Sequence, residues 1–146
     1  TSLLVSRGIK TLAVRLDAQQ QSAIQIARWL EKRPEIRKVF YPGLESHPGR
    51  EIHARQASGP GAVISFELAD GPAAVAFLKR VKLPLVAVSL GGVESILSYP
   101  VTMSHASIPR PEREARGITN RLVRLSVGLE AAEDLIADLE QALASA

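Results

Sequence analysis

The sequence predicts an α/β or α+β fold in which helices pack on one small sheet. Short apolar segments with strand character alternate with segments of helical periodicity, which is the pattern of a layered fold. The length of 146 residues suits one domain with a sizeable core. Hydrophobic residues make up 46% and charged residues 23%, as in an ordinary globular domain. Aromatic residues are only 4%, so Leu, Val, Ile and Ala must build the core.

The first element is a long helix, predicted from about residue 10 to residue 32. Apolar residues recur at helical spacing along this segment. The polar run Gln19-Gln20-Gln21 interrupts the apolar stripe, and such a polar middle is typical of a helix that bridges two bodies. Pro34 ends the helix.

The later elements follow from alternation and from turn residues. Four short strands are predicted, at 36–41, 62–68, 85–88 and 122–127. Four further helices are predicted, at 50–57, 70–81, 109–117 and 131–144. Pro72 suits the first turn of the second of these helices. The last helix has one continuous apolar stripe and acidic residues in its first turn, which complement the helix dipole.

Composition narrows the classes of function. No apolar run approaches the roughly 18 residues that a membrane span needs, so no membrane partner is expected. The net charge is +3, but the basic residues are interspersed with acidic ones. Nucleic-acid binding needs clustered Lys and Arg, so no nucleic-acid partner is expected. The chain has 0 cysteines, which suits a cytoplasmic protein. It begins at Thr1 and its one methionine is Met103, so we expect a processed N-terminus or a piece of a longer protein.

Arg124 is the most informative residue. Val123 and Leu125 share one face of the strand predicted at 122–127, so Arg124 points to the other face. A guanidinium is costly to bury unless it is paired. Arg124 is therefore either a solvated residue of an edge strand, a member of a structural ion pair, or a fork that binds a substrate carboxylate.

Other motifs predict no site by themselves. The Gly91-Gly92 pair lacks the spacing of the dinucleotide fingerprint, and no phosphate-loop lysine follows it. The three histidines fit no zinc motif, so no metal site is expected. A hydrolase triad has no support, because the Gly-x-Ser-x-Gly elbow is missing.

Two long segments closely resemble the Cys/Met-metabolism family of pyridoxal-phosphate (PLP) enzymes. They are residues 85–107, LVAVSLGGVESILSYPVTMSHAS, and residues 117–139, which include LVRLSVGLE. Shorter motifs at 7–12 (RGIKTL) and 41–44 (YPGL) are also similar to that family. The resemblance covers essentially the whole chain.

The resemblance implies the small C-terminal domain of the PLP aminotransferase-like fold, with a four-stranded, mostly antiparallel sheet covered by helices. Residues 1–34 would be the long helix that links to a large N-terminal domain, and 35–146 the small domain. In the family, the large domain holds most of the PLP site and the Schiff-base lysine. None of the chain's lysines lies in the family's Ser-x-Thr-Lys context. This segment therefore supplies no catalytic residue and should be inactive alone. The lysines in question are Lys10, Lys32, Lys38, Lys79 and Lys82.

The resemblance also implies site residues and partners. Arg124 corresponds to the arginine that binds the substrate α-carboxylate, Ser89 assists the same carboxylate, and Ser104 lines the site. The partners would be the N-terminal PLP-binding domain, an amino-acid substrate and further copies of the chain in a tetramer.

Val88 narrows the set of reactions that the resemblance allows. It stands where many γ-synthases and γ-lyases have glutamate, and an apolar residue there is typical of methionine γ-lyases and of Gram-positive β-lyases. The motifs at 95–100 (SILSYP) and 103–106 (MSHA) look most like those β-lyases. We therefore expect a β-lyase that cleaves cystathionine to homocysteine, pyruvate and ammonia. The alternatives are a cystathionine γ-lyase, a γ-synthase or a methionine γ-lyase. An alternative of another class is a non-catalytic module for amino-acid binding or assembly.

Overall fold

The computed structural model describes residues 2–144, which form one mixed sheet with helices packed against it. The sheet has five strands in the order β1-β2-β5-β4-β3. Neighbouring strands are antiparallel except β3 and β4, which are parallel. The strands are β1 Ile36–Phe40, β2 Val63–Leu68, β3 Leu85–Val86, β4 Ile96–Ser98 and β5 Leu122–Ser126.

Six helices within residues 2–144 accompany the sheet. They are α1 Ser2–Ile9, α2 Leu12–Leu30, α3 Arg50–Gln56, α4 Gly71–Arg80, α5 Arg110–Ala115 and α6 Ala132–Leu143. Helices α2 and α4 both pack against α6 and against β2. Asp70 caps α4, since its carboxylate accepts a hydrogen bond from the Ala73 amide at 2.8 Å. No helix within residues 2–144 is both long enough and apolar enough to cross a membrane.

The core lies between the sheet and helices α2, α4 and α6. Alternation along β2 and β5 buries one face of each strand, as the period-2 pattern predicts. The second half of α2 belongs to this same core, because Ala23, Ile26 and Leu30 are fully buried in it. The core is mainly aliphatic, as the composition predicts, but Phe66 and Phe77 pack edge-to-face in it, with ring centroids 5.8 Å apart.

The helix predicted from about residue 10 to residue 32 is present as α2, but the separate helix α1 before it was not predicted, so the expectation of one long helix over residues 1–34 is wrong. The chain is already helical from Ser2, and α1 and α2 are separated by a break at residues 10–11. Side chains bind the end of α1 there: the Arg15 Nη2 donates to the Gly8 carbonyl at 2.9 Å, and its Nε donates to Thr11 Oγ1 at 3.2 Å. The bond from Arg15 satisfies the Gly8 carbonyl, which a continuous helix would bond internally.

The predicted count of four strands is also wrong. The strand expected at 85–88 is only two residues long, and a fifth strand, β4, lies between it and β5. Strand β4 has only three residues, too few for alternation to reveal. Strand β4 is defined by its pairing with β3 on one side and β5 on the other. A side-chain hydrogen bond adds to this pairing, since Ser98 Oγ donates to the Ala87 carbonyl at 2.8 Å. The expected fold class, with helices on a mostly antiparallel sheet, is confirmed.

Candidate functional site

Arg124 lies near the middle of the sheet. Strand β5 is flanked on both sides, and Arg124 pairs with Ser65 of β2 and Ser98 of β4. The interpretation as a solvated edge-strand residue is therefore wrong. Val123 and Leu125 are fully buried under the helices, so the half-buried Arg124 side chain lies on the opposite face of the sheet, as the strand periodicity predicts.

The Arg124 guanidinium has neutral partners only. Its Nη2 donates to the Ser89 carbonyl at 2.8 Å and to Ser98 Oγ at 3.2 Å. Its Nε is buried and has no hydrogen-bond partner. Within residues 2–144, no Asp or Glu forms an ion pair with it, so a structural ion pair does not explain its burial. A half-buried cation without a counter-ion suits an anionic ligand.

The loop after β3 brings Ser89 to Arg124. Ser89 has a φ of 94°, in the left-handed region that a non-glycine residue adopts only at a cost of about 1–3 kcal/mol. Gly91, with a φ of 78°, is in a conformation that favours glycine. Its amide donates to Ser126 Oγ at 2.8 Å, and Ser126 is on the same strand as Arg124. This geometry aims the Ser89 carbonyl at the guanidinium.

The end of this loop is held by close backbone packing. The Leu129 amide donates to the Val93 carbonyl at 2.8 Å, and the Gly128 amide donates to Ser95 Oγ at 2.8 Å. Glu130 binds Ser95 with both carboxylate oxygens, each at 2.8 Å. A Cβ at Gly128 would collide with the Val93 carbonyl oxygen and the Glu94 backbone. The glycine is therefore required by close approach.

The other two site residues predicted from the sequence, Val88 and Ser104, form no hydrogen bond with Arg124. Val88 precedes Ser89 and is 63% exposed. Ser104 is also exposed, in the turn-rich segment after β4, and its Oγ lies 2.8 Å from His105 Nδ1. Their roles stay predictions.

Three polar residues of the site were missed by sequence reasoning. Ser126 is two residues after Arg124, and the alternation places it on the same face, but no site role was predicted for it. Ser98 belongs to β4, which was itself missed. Gln19 is 2% exposed, and its Nε2 donates to the Gly92 carbonyl at 2.6 Å. Its only signal was the polar interruption of a helical stripe.

The ionisable groups with a clear pKa shift are tyrosines outside the immediate contacts of Arg124. Burial raises the pKa of Tyr41 to about 12. Burial also raises the pKa of Tyr99, and the nearby charge of Arg113 opposes this shift. Both hydroxyls stay protonated near neutral pH and donate to backbone carbonyls, Tyr41 to Gly61 and Tyr99 to Asn120, each at 2.8 Å.

The donor set around Arg124 fits a carboxylate rather than covalent attachment of a cofactor. It consists of a guanidinium, serine hydroxyls and backbone groups. No lysine occurs on β4, on β5 or in the loop between β3 and β4. Within residues 2–144, no group of three or more His, Asp or Glu side chains could hold a metal ion.

Comparison with known proteins decides the family. A sequence model of the Cys/Met metabolism PLP-dependent enzymes matches residues 1–144. The chain belongs to this family. The resemblance stated from the sequence motifs is thereby confirmed.

Individual members of the family are similar over nearly the whole chain. Cystathionine β-lyase of Bacillus subtilis (strain 168) is 56% identical over 96% of the chain and 36% of its own length. Cystathionine γ-lyase of the same strain is 49% identical over 97% of the chain and 38% of its own length. The crystal structure of cystathionine γ-synthase from Xanthomonas oryzae pv. oryzae, in complex with aminoacrylate and cysteine, superposes with a TM-score of 0.90 at 45% identity, over 94% of this chain and 36% of that one.

Two facts follow for the function of this family member. The chain spans little more than a third of the length of these relatives. The names of these relatives also describe different reactions, a β-lyase, a γ-lyase and a γ-synthase. The similarity therefore supports the family of PLP-dependent enzymes but does not select one reaction.

Proposed function

We propose that this chain is the substrate-carboxylate-binding part of a PLP-dependent carbon–sulfur lyase that cleaves cystathionine to homocysteine, pyruvate and ammonia. The observation that carries the proposal is the Arg124 guanidinium, which lies on an interior strand without a carboxylate partner within residues 2–144. The substrates of such a lyase are amino acids, and each has an α-carboxylate that matches this donor.

In this proposal, Arg124 orients the substrate. The Ser89 carbonyl and Ser98 Oγ hold Nη2, so the guanidinium plane is set before the ligand arrives. Nη1, which has no hydrogen-bond partner within residues 2–144, is then free to donate to the carboxylate. Each such charge-assisted bond contributes about 1.5–3 kcal/mol. Ser89 assists the same carboxylate, Ser104 lines the site, and Val88 presents an apolar side chain beside it. PLP supplies the electron sink for cleavage of the carbon–sulfur bond.

PLP would be held mainly by an N-terminal domain that is outside this chain. The relatives are long enough to contain such a domain, because the chain covers only 36–38% of their length. The chain also has unpartnered apolar surface on the element that would lead to it. These exposed side chains lie on α1 and the first half of α2: Leu3, Leu4, Val5, Ile9, Leu12, Val14 and Leu16.

We propose that the large domain and further copies of the chain, in a tetramer, cover this surface. In this arrangement residues 1–34 form the connection and residues 35–146 the small domain. The parent enzyme would act in the cytoplasm, which a chain without cysteine suits.

The identity of the keto acid tests the reaction. The full-length protein that contains this chain is incubated with cystathionine, and the products are separated. Pyruvate is the result expected of a β-lyase. A yield of 2-oxobutyrate in its place would overturn the β-lyase proposal and support the γ-lyase, which the 49% identical B. subtilis relative keeps as the second candidate.

A further inference from the structure

The loop that carries Ser89 is not held by burial of its side chains. Residues 88–91 are all exposed, and the apolar side chains of Val88 and Leu90 are 63% and 52% exposed. Ser89 and Gly91 also have positive φ angles, which an unconstrained loop would tend to leave. The conformation of this loop therefore depends on its hydrogen bonds.

Three hydrogen bonds to the rest of the fold fix this segment between Ser89 and Gly92. Two come from β5, where Arg124 binds the Ser89 carbonyl and Ser126 accepts from the Gly91 amide. The third comes from Gln19 on α2, a helix 73 residues away in sequence, whose Nε2 donates to the Gly92 carbonyl at 2.6 Å. Of the three residues that bind this segment, Gln19 is the one that does not belong to the sheet.

Burial makes the contact from Gln19 specific. The side chain is 2% exposed, so its amide cannot turn to solvent without moving the helix or the loop. The Gly92 carbonyl lies in a partly buried contact, so the loss of its donor costs free energy and favours a shift of the loop toward another partner. Such a shift moves Ser89, only three residues away, relative to Arg124.

We propose that Gln19 is a positioning residue for the carboxylate site. It holds the Gly92 carbonyl and so keeps the Ser89 carbonyl in place against the Arg124 guanidinium. This inference rests on the proposed role of Arg124 and adds to it a residue on α2, which reaches the site from outside the sheet. Gln19 touches neither substrate nor cofactor in this role.

The neighbouring Gln20 provides a matched control. It is on the same helix, and its Oε1 accepts a hydrogen bond from the Gly61 amide at 3.0 Å. Both glutamines thus connect α2 to a glycine of a loop, but the loop of Gly61 precedes β2 and contains none of the groups that contact Arg124. A general loss of stability should affect both variants, whereas a loss of carboxylate positioning should affect only the Gln19 variant.

The experiment measures the recognition of a carboxylate directly. The full-length holoenzyme is titrated with L-serine and with L-serinamide, which lacks the carboxylate charge, and cofactor absorbance gives the two apparent dissociation constants. The variants are Gln19→Met, Gln20→Met and Arg124→Lys. We expect Gln19→Met to raise the constant for L-serine about 3- to 10-fold, the equivalent of one net hydrogen bond, and to leave L-serinamide within about 2-fold. Gln20→Met should change neither.

Each outcome either supports or overturns the inference. Equal effects of the two Met variants, or equal weakening of both ligands by Gln19→Met, would show a structural role and overturn the inference. If Arg124→Lys discriminates between the ligands and Gln19→Met does not, the inference fails while the carboxylate site stands. If Arg124→Lys does not discriminate, both fail. Should Gln19→Met not fold, Gln19→Asn, whose amide is one methylene shorter, carries the same comparison.

Discussion

Replacing Arg124 by lysine separates its charge from its geometry. Lysine keeps the positive charge but has a single nitrogen, which cannot bind the Ser89 carbonyl and Ser98 Oγ and also present a second, coplanar donor to a carboxylate. A substrate carboxylate therefore loses one charge-assisted hydrogen bond, worth about 1.5–3 kcal/mol. At 1.4 kcal/mol per tenfold change, we expect KM for cystathionine to rise about 10- to 150-fold.

The assay is steady-state formation of the keto acid by the full-length enzyme, with cofactor absorbance recorded in parallel. Bound PLP should be unchanged, because no cofactor-binding role is assigned to Arg124. The control is Arg121→Lys, the same substitution just before β5, at a separate cavity of about 420 Å³ that is also lined by Asp70 and Arg110. A KM within about 2-fold of the wild-type value, or loss of PLP together with activity, would refute the assignment.

Three further outcomes are expected. Gly128→Ala should lower the free energy of unfolding by about 1–3 kcal/mol, because its Cβ collides with the Val93 and Glu94 backbone; an unchanged denaturant midpoint would contradict this. The pKa of Tyr41 is raised to about 12, so its protonated form stabilises the fold fully below pH 10, and this contribution is lost as pH rises through about 12. Tyr41→Phe should therefore show a shallower loss of stability than wild type above pH 10, and parallel pH curves would contradict the burial argument. Residues 1–146 expressed alone should self-associate through the apolar side chains of α1, and a monodisperse monomer in sedimentation analysis would count against this.

Local patterns predicted most of the elements and the orientation of Arg124. The apolar stripe predicted a helix at 131–144, and α6 is Ala132–Leu143. Period-2 alternation correctly separated Arg124 from Val123 and Leu125. These features depend on spacing along a single element, so the sequence contains the required information.

Features that depend on pairing between distant segments were not accessible in this way. Strand β4 is too short to have a pattern, and it is defined by β3 and β5 on either side. The break after α1 is accompanied by hydrogen bonds from the Arg15 and Thr11 side chains to the Gly8 carbonyl near the end of that helix. The interior position of β5, which excluded the solvated alternative for Arg124, is a property of the strand order.

The family and the layered fold class follow from the amino-acid sequence, and so does the choice of Arg124 as the centre of the proposed carboxylate site, because long ordered motifs and strand alternation are local properties. The groups that surround Arg124 depend on tertiary contacts. Ser89, Ser98 and Gln19 belong to a loop, a short strand and a helix that are far apart in the chain. Their contacts arise when the sheet forms and α2 packs against its core, since hydrogen bonds between distant segments require both partners to be placed first.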